Sequence, residues 1–341
     1  MEQELEQSSN STFLSFLGRY VEDIDFTLWL YRTIVYPLVV TFLLPFVFVI
    51  LIYFSSITLY IFKFHSWLLL KEIRADDVNF WKVAIKFIAA VWDAHATIYH
   101  GYEICGLEHL PKDSNGLIIY YHGAIPIDMY YFVARIYLKY DRLIYTVGDR
   151  FLFKLPGWKI IAQALKVSPG TVMSCTETLK NGNLLAISPG GVYEAQFGNN
   201  CYELLWQQRL GFAKVAIESK APIIPMFTEN LREGFRNIGL GRRFFIKLYN
   251  LTRIPFRPIY GGFPVKFRTH LGPPIYYEEG ISAKQLQEKT AAAIEKLIVE
   301  NQRIPGSIVG GLLDRFFEKR KIDIVVNSAR QKKFKFSNKD S

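Results

Sequence analysis

The chain has 341 residues, half of them hydrophobic and 16% aromatic, with a net charge of +10. Its three cysteines, Cys105, Cys175 and Cys201, are odd in number and widely spaced, which argues against a disulfide framework and a zinc signature. No repeat, low-complexity linker or recognised nucleic-acid module interrupts it, so a second globular domain and a nucleic-acid partner are not expected.

Charge is unevenly spread. Residues 1–28 carry one Arg against six acids, net −5, and form an acidic N-terminal segment. Residues 29–64 read as a membrane anchor: Thr33 to Phe62 is a run of 30 residues without a charge, bracketed by Arg32 and Lys63. About 20 apolar residues suffice to cross a bilayer as a helix. As one helix the run would extend roughly 45 Å, and Pro37 and Pro45 would each remove a backbone donor within it. Two readings stay open, a single tilted and kinked span or a re-entrant hairpin. Basic residues after the run (Lys63, Lys71, Arg74, Lys82, Lys86) outnumber those before it (Arg19, Arg32), which predicts that the larger C-terminal part faces the cytosol. Two glycosylation triplets, Asn10-Ser11-Thr12 and Asn250-Leu251-Thr252, offer a test, since sugar on Asn250 would place that part in the lumen.

Residues 65–310 leave ample chain for one α/β domain. Trp81 to Gly101 has Val83, Ile85, Phe87, Ile88, Val91 and Trp92 at helical spacing; its His95 and His100 suit packing or hydrogen bonding better than metal ligation. Leu117 to Tyr121 reads as a short buried strand, and His122-Gly123-Ala124-Ile125-Pro126-Ile127-Asp128 follows at its end. A histidine takes a proton from an alcohol at neutral pH when a carboxylate fixes its tautomer and stabilises the imidazolium. With no Ser or Cys nucleophile beside the pair, attack by an activated substrate hydroxyl is the natural reading; a strand-ending histidine that caps a turn is the alternative.

Ile125 to Leu138 predicts a helix whose amino end presents Asp128 toward His122. Leu143 to Val147, Leu184 to Ile187, Pro222 to Phe227 and Val265 to Thr269 predict core strands, with helices such as Phe212 to Lys220 between several of them. A mostly parallel sheet covered by helices follows. Ala283 to Gln302 predicts the last helix, ended by Arg303-Ile304-Pro305-Gly306. Residues 311–341 form a basic tail; from 315 onward it has nine Lys or Arg against three acids, with Phe316, Phe317, Phe334 and Phe336 among them, suited to an anionic leaflet.

Four stretches then stand in order: His122 to Asp128, Gly148-Asp149-Arg150-Phe151 with Lys154 to Gly157, Ser188-Pro189-Gly190-Gly191-Val192-Tyr193-Glu194-Ala195, and Pro222-Ile223-Ile224-Pro225. Together they resemble the four blocks of the glycerolipid acyltransferases, lysophospholipid acyltransferases included. Their wording is most similar to the diacylglycerol-acyltransferase-like branch of the endoplasmic reticulum. The sequence departs from the family pattern twice. His122 and Asp128 enclose five residues where the familiar block has four, and the third block lacks the arginine that phosphate-handling members carry. An arginine fork suits a phosphate, so Val192-Tyr193 in its place favours a neutral glyceride, unless Arg150 or Arg209 supplies the contact.

The resemblance implies an α/β fold with an N-terminal membrane-embedded segment and an acyl-CoA-dependent transfer to mono- or diacylglycerol that makes triacylglycerol. It implies His122 as general base, oriented by Asp128. The substrate-binding set would be Gly148, Arg150, Lys154, Pro189, Gly190, Gly191, Glu194 and Pro225. Arg150 and Lys154 would meet the coenzyme A phosphates, and backbone N–H groups at Gly190-Gly191 or Gly123 an oxyanion. Glu194 would contact a substrate hydroxyl or complement a helix dipole. No cofactor or metal is implied beyond acyl-CoA as co-substrate; the partners are the bilayer, acyl-CoA and a neutral glyceride. The competing readings are a lysophospholipid acceptor on the same fold, or a non-catalytic lipid-binding scaffold. A serine hydrolase is disfavoured because Gly-x-Ser-x-Gly is absent.

Overall fold

The computed structural model describes residues 29–69 and 78–317. The acidic segment 1–28, the Asn10 triplet, Lys71 and Arg74 of the charge count, and the tail beyond Phe317 lie outside the described residues.

The apolar run is helical in one direction. A π turn at Tyr31–Val35 leads into helix α1 (Tyr36–Leu43), with Pro37 directly after the π turn, and α2 (Pro45–Leu69) resumes after one residue. The break falls before Pro45, which has no N–H to give. Leu44 itself stays in the right-handed helical region (φ −54°, ψ −38°), so the chain kinks here and does not fold back. Tyr31–His65 is thus a 35-residue helix long and apolar enough to cross a membrane. Most of its large side chains are exposed, but one face is not: Leu59 enters the core, Ser55 accepts from the Trp92 indole N–H at 3.0 Å, and Ser56 donates to the Gly157 carbonyl at 2.9 Å. The boundary near residue 64 marks a change of composition and not of packing.

Helix α3 (Val78–His100) packs along α2 and along α4 (Ile127–Tyr140). Its histidines make the hydrogen bonds expected of them, His95 with the Tyr131 hydroxyl at 2.7 Å and His100 to the Val265 carbonyl at 3.0 Å.

The seven-stranded sheet comprises β1 (Glu103–Cys105), β2 (Gly116–Tyr120), β3 (Ile144–Val147), β4 (Val167–Ser168), β5 (Leu184–Ile187), β6 (Ile223–Thr228) and β9 (Arg268–Leu271), in the order β1-β9-β6-β2-β5-β3-β4. A separate hairpin-like pair joins β7 (Phe235–Asn237) to β8 (Ile259–Gly261). Five strands, β6-β2-β5-β3-β4, run parallel; β9 is antiparallel to β6 and parallel to β1. Period-two alternation sends Leu117 and Ile119 of β2 to one face and Ile118 and Tyr120 to the other, and both faces are covered, which is why the strand reads as a continuous apolar run. The sheet is mostly parallel, as predicted. The strand expected at Val265–Thr269 begins three residues later, because Val265 and Phe267 pack into the core ahead of the ladder.

Parallel register decides where the chemistry sits. Ile119 of β2 pairs with Ile187 of β5 and with Pro225 of β6, so the segments leaving β2, β5 and β6 emerge side by side, with that leaving β3 next to them. Ligands of open α/β sheets bind outside the carboxyl ends of such strands.

Candidate active site

Two residues past the end of β2, His122 stands in the wall of a cavity of about 960 Å³. Its Nδ1 N–H donates to the Gly123 carbonyl at 2.7 Å. A carbonyl only accepts, so this bond fixes the proton on Nδ1 and leaves Nε2 as the ring's lone pair. Burial lowers the imidazole pKa to about 4, opposed by the Gly123 bond and reinforced by the positive charge of Arg232. At neutral pH the ring is uncharged and ready to accept a proton.

The backbone of His122 is fixed from behind. Its N–H donates to Glu194 Oε2 at 2.9 Å, and the other carboxyl oxygen accepts from the Leu205 N–H at 2.9 Å. Glu194 belongs to helix α7 (Gly191–Phe197) and is completely buried. Burial pushes its carboxyl up to about 7 although the two amides, Arg232 and Arg209 pull the other way. Gly190 makes the arrangement possible, for a Cβ there would lie 2.4 Å from the Glu194 carboxyl carbon. Glu194 is therefore a buried brace for the histidine and does not line the cavity.

Asp128 is in the first turn of α4 and buried. The expected imidazole–carboxylate hydrogen bond is absent: His122 Nδ1 is committed to Gly123, and neither Asp128 oxygen has a full hydrogen bond. Asp128 meets Thr228 of β6 instead. Burial dominates and pushes the carboxyl pKa up to about 7, although the Thr228 hydroxyl and the Met129 and Asp128 amides draw it down. Thr228 continues a buried chain through Thr269 (2.8 Å) to the Tyr102 hydroxyl (2.9 Å). The Tyr120 ring lies 6.2 Å from the His122 ring, and its hydroxyl pKa is raised by burial and then by the charges of Asp128 and Glu194.

Of the other predicted residues, Gly148, Arg150 and Gly191 line the cavity. Lys154 is exposed and outside its wall, Pro189 and Gly190 lie behind it with their carbonyls held by Arg209 at 2.9 and 3.0 Å, and Gly123 packs against Leu231. Pro225 is part of the sheet: its carbonyl accepts from Gly272, and its missing donor falls where pairing with β9 ends.

Sequence reasoning missed Arg232, just beyond β6. Its buried guanidinium donates to the carbonyls of His122 (3.0 Å), Glu194 (2.5 Å) and Ala195 (3.0 Å) and to the Tyr121 hydroxyl (2.9 Å). One side chain thus ties the histidine turn to the Gly190–Glu194 turn. The signal available was the run Glu229-Asn230-Leu231-Arg232-Glu233 ending an apolar strand.

The cavity has two unlike ends. Arg150, Arg209, Arg253 and Arg257 line it on one side; Phe48, Ile52, Ile85, Trp92, Tyr130 and others from α2, α3 and α4 line it on the other. Arg209 and Arg257 spend their donors on backbone carbonyls. A neutral imidazole in a wall shared by cationic and apolar side chains suits proton abstraction from an alcohol where one reactant is lipid-soluble and the other carries negative charge.

A family model described as "Acyltransferase" matches residues 102–229. A Homo sapiens protein named "DGAT1/2-independent enzyme synthesizing storage lipids" is 47% identical over 300 residues, covering 88% of this chain and 90% of that protein. The Mus musculus protein of the same name is 46% identical over 305 residues, covering 89% of each. Among solved structures, the 1-acyl-sn-glycerophosphate acyltransferase PlsC from Thermotoga maritima aligns over 73% of this chain and 97% of that one, with a TM-score of 0.46 and 16% identity.

Proposed function

The chain belongs to the acyltransferase family, and from that premise we propose that it moves a fatty acyl group from acyl-CoA to the hydroxyl of mono- or diacylglycerol, making triacylglycerol at a membrane. The observation that carries this reading is the uncharged His122 in the wall of a cavity walled on its far side by the long apolar helix. The relatives named for storage-lipid synthesis support the same acceptor class.

In the proposed step the acceptor hydroxyl gives its proton to His122 Nε2 as its oxygen attacks the thioester carbonyl carbon. The tetrahedral intermediate collapses, the carbon–sulfur bond breaks, and the imidazolium returns the proton to the departing coenzyme A sulfur. Gly123 holds the tautomer, Glu194 and Arg232 hold the turn, and Asp128 supplies the negative charge that the transient imidazolium needs in a buried site. Backbone N–H groups at Gly191 or Gly123 serve the oxyanion. Arg150 and Arg253, whose guanidinium groups are not engaged with carbonyls, serve the coenzyme A phosphates.

The acyl and glyceride chains would occupy the trough between α2, α3 and α4; at about 960 Å³ the cavity is near the upper end of small-molecule sites, about 300–1,000 Å³. We assign the protein to the endoplasmic reticulum membrane with the sheet domain in the cytosol, as the basic residues Lys82 and Lys86 following the apolar helix favour. The test is a panel of monoacylglycerol, diacylglycerol and lysophosphatidic acid with labelled acyl-CoA, using the purified chain and His122→Ala in parallel. Transfer to the neutral glycerides that vanishes in the variant is expected; preference for lysophosphatidic acid would redirect the assignment to a phosphate-bearing acceptor, and equal neutral-lipid synthesis by the variant would favour a scaffold.

A further inference from the structure

Between Glu233 and Glu278 lie 44 residues without an Asp or Glu, carrying eight Lys or Arg. Four of the eight have internal partners: Arg236 meets Glu233, Lys266 and Arg268 meet Glu103, and Arg257 is buried against carbonyls. Arg242, Arg243, Lys247 and Arg253 have no carboxylate within ion-pair distance among the described residues. All four are exposed on or beside helix α10 (Arg242–Thr252).

Helix stability does not explain these charges. The helix begins at Gly241 without a side-chain cap, has two arginines in its first turn and no base in its last. The dipole favours the reverse, acids at the start and bases at the end. Apolar placement is equally unexplained by the core. Tyr249 is the buried residue of this helix, packed on the Tyr193 and Phe197 rings, whereas Phe244 is 63% and Leu251 84% exposed. Seven residues apart, those two share a stripe two turns long, and exposed Leu240, Ile254 and Phe256 extend it at both ends. A cationic helix with an outward apolar stripe is the pattern of a segment lying in a membrane surface.

Its position agrees. The chain leaving α10 enters β8, where Tyr260 lies 6.2 Å from Phe42 of the apolar helix, and Leu44 packs on Gly262 just after. Tyr249, Arg253 and Pro255 stand in the cavity wall. The helix that carries the exposed stripe therefore borders both the cavity and the apolar helix suited to lipid.

We propose that α10 is an interfacial helix seated on an anionic bilayer surface, with Phe244 and Leu251 inserted at head-group depth and Arg242, Arg243 and Lys247 against lipid phosphates. This second contact fixes how the domain lies on the membrane, and it does not depend on which acyl acceptor the site takes. It also places Asn250 of the glycosylation triplet among lipid head groups.

The experiment uses the full chain in lipid nanodiscs, with its three cysteines changed to Ser and an environment-sensitive fluorophore on Leu251→Cys or, as control, on Lys180→Cys at the exposed end of helix α6 (Val172–Lys180). Leu251 is exposed, so its replacement leaves packing intact. In phosphatidylcholine discs containing phosphatidylserine, the label at 251 should be blue-shifted and quenched by head-group spin labels, and the label at 180 neither. The double change Arg243→Gln and Lys247→Gln should return the quenching at 251 to its level in phosphatidylcholine alone. A label at 251 that stays as water-exposed as the one at 180 in both lipids overturns the proposal. So does a blue shift without lipid quenching that occurs only in discs holding two copies, which would assign the stripe to a second copy of the chain.

Discussion

The polar rim and the apolar trough of the cavity are built by different physics. At the rim, the turns carrying His122, Arg150 and Gly191 leave strand ends whose positions are set by parallel register, and buried polar groups lock them: Glu194 on two amides, Arg232 on three carbonyls. In the trough, α2 meets the domain through side-chain packing and two hydroxyl contacts, Ser55 with Trp92 and Ser56 with Gly157. The rim is specified by hydrogen bonds that are expensive to leave unmade; the trough rests on surface burial that adapts to what fills it. The comparison predicts that rim substitutions abolish function or folding, while trough substitutions grade it.

The largest effect belongs to the rim's reacting group. His122→Ala should lower kcat/KM by about 10²–10⁴-fold, the range of general-base catalysis, with the thermal midpoint nearly unchanged because the ring edges a cavity and its one hydrogen bond is to its neighbour's carbonyl. Next is Arg232→Met, which removes a donor from three carbonyls and the Tyr121 hydroxyl in the interior; Ala195 keeps Asn237 and Glu194 keeps the Gly198 N–H, so the His122 carbonyl and the Tyr121 hydroxyl lose most. Losing one member of a buried charged network typically costs about 3–5 kcal/mol. Equilibrium denaturation should show that loss; an Arg232→Met protein of wild-type stability would mean the turns hold each other without the guanidinium.

These two residues also show what the amino-acid order made visible. His122 announced itself because an apolar five-residue strand and a glycine bracket it, and both signals are local. Helix α4 and the helix at Ala283–Asn301 were legible from periodicity in the same way, but the latter is not the last: the six-residue helix Ile308–Leu313 follows it, too short to show a period. Arg232 was not, because its partners come from residues 121, 122, 194 and 195, and only the side-by-side exit of β2, β5 and β6 brings them together. Asp128 was legible as an acid close in sequence to the histidine but not in its direction, since the Thr228 it meets comes from β6, far along the chain. The short strands β1, β4, β7 and β8, two or three residues each, carry too little pattern to read. The apolar helix was legible as a lipid-seeking segment and not as a cavity wall, for hydropathy has no record of what lies behind one face.

The two buried carboxyls divide the rim by pH. Asp128 and Glu194 are each pushed up to about 7 and His122 down to about 4. An ionised Asp128 offsets the imidazolium, so kcat/KM should rise as pH climbs through about 7, roughly tenfold per unit on the acid side of that limb. Asp128→Asn should remove this rise and settle on a lower plateau. Glu194→Gln should retain the rise, because Glu194 braces the backbone. Stability moves oppositely: the folded chain holds the Asp128 proton up to about 7 while the unfolded chain releases it near 4, so stability falls as pH rises through that window. Asp128→Asn should remove its share of that fall in a denaturation series from pH 4 to pH 8 and leave the share that Glu194, also pushed up to about 7, contributes with the same sign. A rise that survives in Asp128→Asn and disappears in Glu194→Gln would exchange their roles.

The trough yields the smallest change. Gly157 has φ +74°, and a Cβ there would stand 2.8 Å from the Ser56 hydroxyl oxygen. Gly157→Ala thus combines left-handed backbone strain with a push on the Ser56 contact, about 1–2 kcal/mol together. The sheet and its strand ends do not share that contact, so the rim should keep its order. KM for long-chain substrates should rise a fewfold while kcat with short, soluble acyl donors holds. A proportional fall in kcat for both would show that α2 positions the histidine as well as walling the trough, and the division between a hydrogen-bonded rim and an adaptable trough would have to be given up.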